Sequence, residues 1–320
     1  MPHKPFDPTV WQGRLDGESR GPLRWHEVVR SDEHLQSGDL ALIGFASDAG
    51  VARNLGRTGA ALGPAAIRPM LANLPLRSVE HIIDAGDVMC DEDALEDAQA
   101  AFAARVQALL GAGAHVIGLG GGHEMAYASF CGLADHLAHA GKGRSIGIVN
   151  LDAHFDLRPA PPATSGTPFF QIEQHCRQNA IPFQYFCLGI SEYSNTRALF
   201  ERAKSLDVRY VTDEQLRQPL VDTLLELRRF CESVDAVYLT ICLDVLPAHV
   251  APGVSAPAAA GVELAVVESL IDEVLASGRL RLADVAELNP QFDIDGRTAR
   301  VAARLVGRVA RGLLFDRGSA

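Results

Sequence analysis

The chain has 320 residues, 48% of them hydrophobic, and a formal net charge of −11. That is ample apolar material for a sizeable core, in one large α/β domain or two small ones. The acidic balance argues against a nucleic-acid footprint, and it means that an anionic ligand has to be held by local arginines rather than by the global field. Six cysteines (90, 131, 176, 187, 231 and 242) form no CxxC pair, which suits a reducing, cytoplasmic setting. The opening MPHKPFDPTVW is polar and Pro-rich and does not read as a signal peptide, and no apolar run reaches membrane-spanning length.

Residues 1–38 are broken by Pro and Gly and read as an N-terminal extension on the surface with one short helix. LALIGFASD (40–48) is the first strand, followed by a long glycine-bearing loop, AGVARNLGRTGAALGP (49–64), and a helix opened by Pro64. Loops of that length inside compact domains tend to be functional. HIIDAGDV (81–88) is a strand, and 93–113 is an Ala-rich helix ending on Gly113. HVIGLGGGHE (115–124) is a strand running through three glycines into His123 and Glu124, then a helix to about 140. The glycines lack a phosphate-loop Lys-Ser/Thr and the GxGxxG pattern, so they read as close backbone approach and not as a nucleotide cradle.

SIGIVNLDAHFDLR (145–158) is the stretch around which the chemistry gathers. Its apolar first half reads as a buried strand. In an extended chain, residues two apart share a side, so Asp152, His154 and Asp156 should project together from its carboxyl end. Two carboxylates and an imidazole suit a divalent ion of hard or borderline character. A loop (159–169), a helix and the strand FQYFCLGI (183–190) follow. Then come a helix at 194–206, the short strand VRYVT (208–212), and a mostly helical run at 213–234. The apolar strand from 236 ends in Cys242 and Asp244, which period two again puts on one side. After a helix at 262–277, LRLADVAELNP (280–290) delivers Glu287 at its end, and 296–314 is the last helix. This alternation predicts one domain over 1–320: a three-layer αβα fold with a mostly parallel, doubly wound sheet. Ligands of such sheets sit beyond the carboxyl ends of the strands. Four strands then bring His123, the Asp152 group, Cys242 with Asp244, and Glu287 to one edge.

GGGHE (120–124), NLDAHFD (150–156), ICLDVLPAHVAPGVSAP (241–257) and ELNP (287–290) resemble the ureohydrolase superfamily of arginases and agmatinases. With 44–68 and SGTPF (165–169), the chain is most similar to the formimidoylglutamase branch. The resemblance implies an arginase-like fold, a homo-oligomer, and two Mn2+ ions per subunit. His123 and Asp156 would be terminal ligands of one ion, His154 and Asp244 of the other, and Asp152 would bridge both. The second bridging position is Cys242, where the family pattern has Asp. Either the softer sulfur ligates and alters metal preference, or one ion is held weakly, or Cys242 is a small buried hydrophobe.

The implied reaction is hydrolysis of N-formimidoyl-L-glutamate to L-glutamate and formamide, in histidine degradation. Glu287 would face the amidinium. The resemblance leaves the proton donor for the leaving amine open, because Phe169 stands where arginases carry a histidine; Asp156 and His175 are the candidates. The substrate has two carboxylates, for which Arg158, Ser165 and Thr167, with Arg57, Asn54 and Arg53 from the glycine-bearing loop, are the candidate partners. The alternatives are a guanidino-acid hydrolase of the guanidinobutyrase or arginase type releasing urea, and a weakly active pseudoenzyme disabled at Cys242.

Overall fold

The computed structural model describes residues 3–15, 24–76, 81–141 and 145–315. Its strands are β1 (His3–Lys4), β2 (Val29–Ser31), β3 (Leu40–Ala46), β4 (Ile82–Met89), β5 (His115–Leu119), β6 (Ile146–Leu151), β7 (Gln184–Ile190), β8 (Arg209–Thr212), β9 (Ala236–Cys242) and β10 (Leu280–Ala286). The helices are α1 (Trp25–Val28), α2 (Ala49–Arg53), α3 (Gly63–Ala72), α4 (Leu95–Gly111), α5 (Met125–His139), α6 (Pro168–Gln178), α7 (Arg197–Ser205), α8 (Val221–Glu232), α9 (Leu264–Ala276) and α10 (Arg297–Phe315).

β3, β6 and β9 are buried along their whole length because both faces of the sheet are covered. Alternation still sorts their side chains. Leu40, Leu42, Val149, Leu151, Val237 and Leu239 face a layer built from α3, α8, α9 and α10. Ala41, Ile43, Ile146, Ile148, Ala236 and Tyr238 face α4 to α7. The result is helix, sheet, helix in three layers.

The sheet order is β4-β3-β5-β10-β9-β6-β7-β8, with these eight strands parallel. From β3 the chain steps outward to β4 and returns to β5. It then jumps to β6, winds outward through β7 and β8, and comes back to fill the gap with β9 and β10. The order therefore reverses around the central quartet β5-β10-β9-β6, where a doubly wound sheet opens its ligand crevice.

Three segments differ from the sequence expectation. The N-terminal stretch does more than cover the surface. β1 and β2 both pair with β4, and Trp11 and Trp25 are buried, with the Trp11 indole donating to Asp84 at 2.8 Å. Residues 1–2 and 16–23 of that stretch lie outside the described residues. The glycine-bearing loop is partly helical, as α2 and a 3-10 turn at Ala60–Leu62. The helical run at 213–234 is interrupted near Pro219, which separates a 3-10 turn (Gln215–Arg217) from α8.

Candidate metal centre and active-site cavity

β6 stops at Leu151, so Asp152, His154 and Asp156 do not share one extended ribbon. The three side chains still come together, for a reason other than period two: the chain bends back on itself. The Asp152 carboxylate accepts the His154 amide at 2.8 Å and the Asn150 side-chain amide at 3.1 Å. Asp156 then takes a left-handed φ of 48°, which turns its side chain inward. Asn195, beyond β7, clamps this bend by accepting the Phe155 amide at 3.1 Å and donating to the Ala153 carbonyl at 2.8 Å.

The neighbouring strand ends complete the cluster. After β5, Gly121 runs so close to β3 that a Cβ there would lie 1.8 Å from the Ser47 carbonyl oxygen, which is why the glycine is needed. That approach swings His123 over the sheet edge. Its Nδ1 lies 3.0 Å from both Asp152 and Asp156, and its Nε2 lies 3.0 Å from the Thr240 hydroxyl. Asp244, two residues past Cys242, is carried in a 3-10 turn (Leu243–Val245) and meets His154 Nδ1 at 3.1 Å. Glu287, just past β10, has a left-handed φ of 72° and accepts the His123 amide at 2.8 Å.

Ligand atoms of His123, Asp152 and Cys242 lie within 4.8 Å of one another, and so do those of Asp152, His154 and Asp244. Asp152 is common to both groups. Burial alone would disfavour its charge, but the hydrogen bonds from His123 and His154 outweigh burial and hold its pKa well below the ordinary value. Asp152 with Asp156 at His123, and Asp244 with Asp152 at His154, overcome burial and raise both imidazole pKa values. Burial, then Asp152, Asp244 and Glu287, push the Cys242 thiol well above its ordinary value. Burial, then Glu124 and Asp244, push Glu287 up to about 8. One oxygen each of Asp244 and Glu287 is buried without a hydrogen-bond partner. Crowded buried carboxylates with bare oxygens, two imidazoles and a thiol are short of positive charge, and this donor set fits divalent transition-metal ions.

A cavity of about 290 Å³ opens above these groups. Arg158, Ser165, Asn54 and Arg57 line it together with His123, His154, Asp156, Cys242, Asp244 and Glu287. Arg158 donates to the Asn54 side-chain oxygen, and the Asn54 amide donates to the Ser165 hydroxyl at 3.1 Å. Arg57 is braced by the Ser255 carbonyl at 3.0 Å and lies 4.1 Å over the Phe292 ring. Two substrate candidates fall elsewhere. Arg53 is tied to Asp93 and Glu96 at 2.7 Å each and is not in the lining. Thr167 is buried and shapes its own loop through the Thr164 carbonyl at 3.0 Å. His175 packs between α5 and α6, edge-on to Tyr127 and Phe130, away from the cavity. Ser194, Asn195 and Ser255 line the cavity although the sequence did not single them out. For Ser194 and Asn195 the available signal is their place just after β7, on the same edge of the sheet.

The arginase-family model matches residues 38–311. A curated formimidoylglutamase of Ralstonia nicotianae is 58% identical over 97% of each chain. Among solved structures, the formimidoylglutamase of Bacillus subtilis superposes with a TM-score of 0.80 at 22% identity, covering 94% of this chain and 96% of that one. A Trypanosoma cruzi formiminoglutamase solved with Mn2+ does so with a TM-score of 0.75 at 24% identity, covering 87% and 94%. The matched span takes in all four strand ends that meet at the cavity, and the chain belongs to the arginase family.

Proposed function

We propose that this chain is a Mn2+-dependent formimidoylglutamase of the cytoplasm, hydrolysing N-formimidoyl-L-glutamate to L-glutamate and formamide in histidine degradation. The observation that carries the reading is the joining of a cation-deficient carboxylate cluster to a cavity with two arginines. Near-full-length identity to a curated enzyme of that name supports it. His123, Asp152, His154, Asp156, Cys242 and Asp244 would hold the ions. When bound, a pair of divalent ions supplies Lewis acidity and a water of lowered pKa for attack on the amidine carbon.

The chain's own groups do the rest. Glu287 is buried with one bare oxygen, so a cationic amidinium stabilises its charged form and is held in return. Arg158, with Asn54 and Ser165, takes one substrate carboxylate, and Arg57 takes the other. Arg53 and Thr167 act at one remove, by shaping the two loops. Asp156 lines the cavity wall next to His123; it takes the proton released as water adds to the amidine carbon and passes it to the glutamate amine as the C–N bond breaks.

The test is an assay of Mn2+-loaded protein on N-formimidoyl-L-glutamate, following glutamate and formamide together. Equal release of both is expected. No release, with urea produced from guanidino acids instead, would replace the formimidoyl reading by the guanidino one.

A further inference from the structure

The GGGHE run ends in a glutamate to which none of the proposed binding or catalytic roles falls. Glu124 follows His123, yet its side chain does not line the cavity; it is fully buried beneath the glycine-bearing loop. Its Oε1 accepts the Gly50 amide at 2.9 Å, and its own carbonyl accepts the Gln99 side chain at 2.7 Å. The slot is cut to fit it. A Cβ on Gly50 would lie 2.5 Å from the Glu124 carboxyl carbon, and a Cβ on Gly122 would lie 2.0 Å from its Oε2.

What Glu124 grips is a junction. The Gly50 carbonyl accepts two amides, that of Asn54 at 3.0 Å and that of Ser165 at 3.0 Å. Asn54 and Ser165 are bonded side chain to side chain, and Asn54 accepts Arg158. Gly50 thus joins the loop after β3 to the loop after β6 through its carbonyl, and the residue next to a candidate metal ligand holds it in place through its amide. A buried amide left without its acceptor is costly, so loss of the Glu124 carboxylate would let the junction shift.

We infer that Glu124 is a positioning residue for the substrate carboxylate: by accepting the Gly50 amide it sets Asn54, Ser165 and Arg158 in mutual register. This rests on the proposed reading of the cavity as a formimidoylglutamate site. The experiment compares Mn2+-loaded wild type, Glu124→Ala, Glu124→Asp and Glu124→Gln by steady-state kinetics and metal content. Substrate-free amide exchange is measured at Gly50, Asn54 and Ser165. Glu124→Ala should raise KM about tenfold or more, with kcat within about threefold. Glu124→Asp, which withdraws the acceptor with less loss of volume, should do the same and covers the case in which the alanine variant does not fold. Glu124→Gln keeps an acceptor oxygen and should stay within about threefold of wild-type KM. Exchange at the three amides should quicken in Ala and Asp but not in Gln. Unchanged KM in Ala or Asp, equal damage in Gln, or loss of Mn2+ from all three variants would overturn the inference. If wild type does not turn over the substrate, the functional reading fails by itself. Exchange still decides about the junction, since undisturbed protection in Ala and Asp removes Glu124 from it.

Discussion

Glu287 holds a left-handed backbone conformation with one carboxylate oxygen on the His123 amide and the other bare. A non-glycine residue in that region costs of order 1–3 kcal/mol, as does the same strain at Asp156. Both line the cavity, and the left-handed turn sets the direction in which each side chain leaves the backbone. Glu287→Gln keeps the shape and removes the charge, and should lower kcat/KM by about 2–5 kcal/mol in transition-state terms, read from initial rates at subsaturating substrate. Arg158→Ala should raise KM about 10- to 100-fold and leave metal content intact, measured by kinetics alongside elemental analysis. An unchanged KM would remove Arg158 from the substrate site.

Between residues and the whole lie the loops that follow the strands. The loop after β3 is fixed at both ends of its reach. Asp48 accepts the Gly59 amide at 2.5 Å, and the Asn289 side chain donates to the carbonyls of Arg57 and Thr58 at 2.9 Å each. Gly59 has a φ of 130°, and a Cβ there would lie 2.3 Å from the Asn289 side-chain oxygen, so the tight crossing needs glycine. Asn289→Ala removes both donors and leaves two carbonyls to find water. It should cost about 1–3 kcal/mol in urea denaturation and raise KM through Arg57. A loss of stability with no change in KM would mean that Arg57 is not held by this contact.

At the scale of the molecule, the centre sits where four parallel strands from both windings of the sheet end side by side. Buried carboxylates from three of those strand ends gather there, so the folded state should be most stable with divalent metal bound. Raising free Mn2+ to about 100 times its dissociation constant should add about 2.7 kcal/mol per site. Chelation should therefore lower Tm, and added Mn2+ should restore it, followed by thermal unfolding with circular dichroism. A Tm indifferent to chelator would mean that the cluster is satisfied without metal. The groove of about 670 Å³ between Trp25, Leu74–Leu76 and α10 is larger than the active cavity, but it holds none of the metal-ligand candidates.

Local pattern carried much of this protein into view. Apolar runs of strand length, glycine and proline punctuation, and polar residues massed at strand ends were enough to lay out eight parallel strands and to name the side chains that gather at the candidate metal centre. These signals are short-range, set by backbone geometry and burial over a few residues. How those side chains meet is not short-range. Asp156 and Asp244 arrive by a left-handed turn and a 3-10 turn, since extended strand does not continue to them. Arg53, read as a substrate arginine, is drawn aside by Asp93 and Glu96, residues 40 and more positions away. Trp11 and Trp25 become core because they stack on each other in the apolar cluster that includes Ile67 and Leu71 of α3. Glu124, Asn195 and Ser255 acquire roles only through partners distant in sequence, and a hydrogen bond across such a separation leaves no periodic trace in the chain.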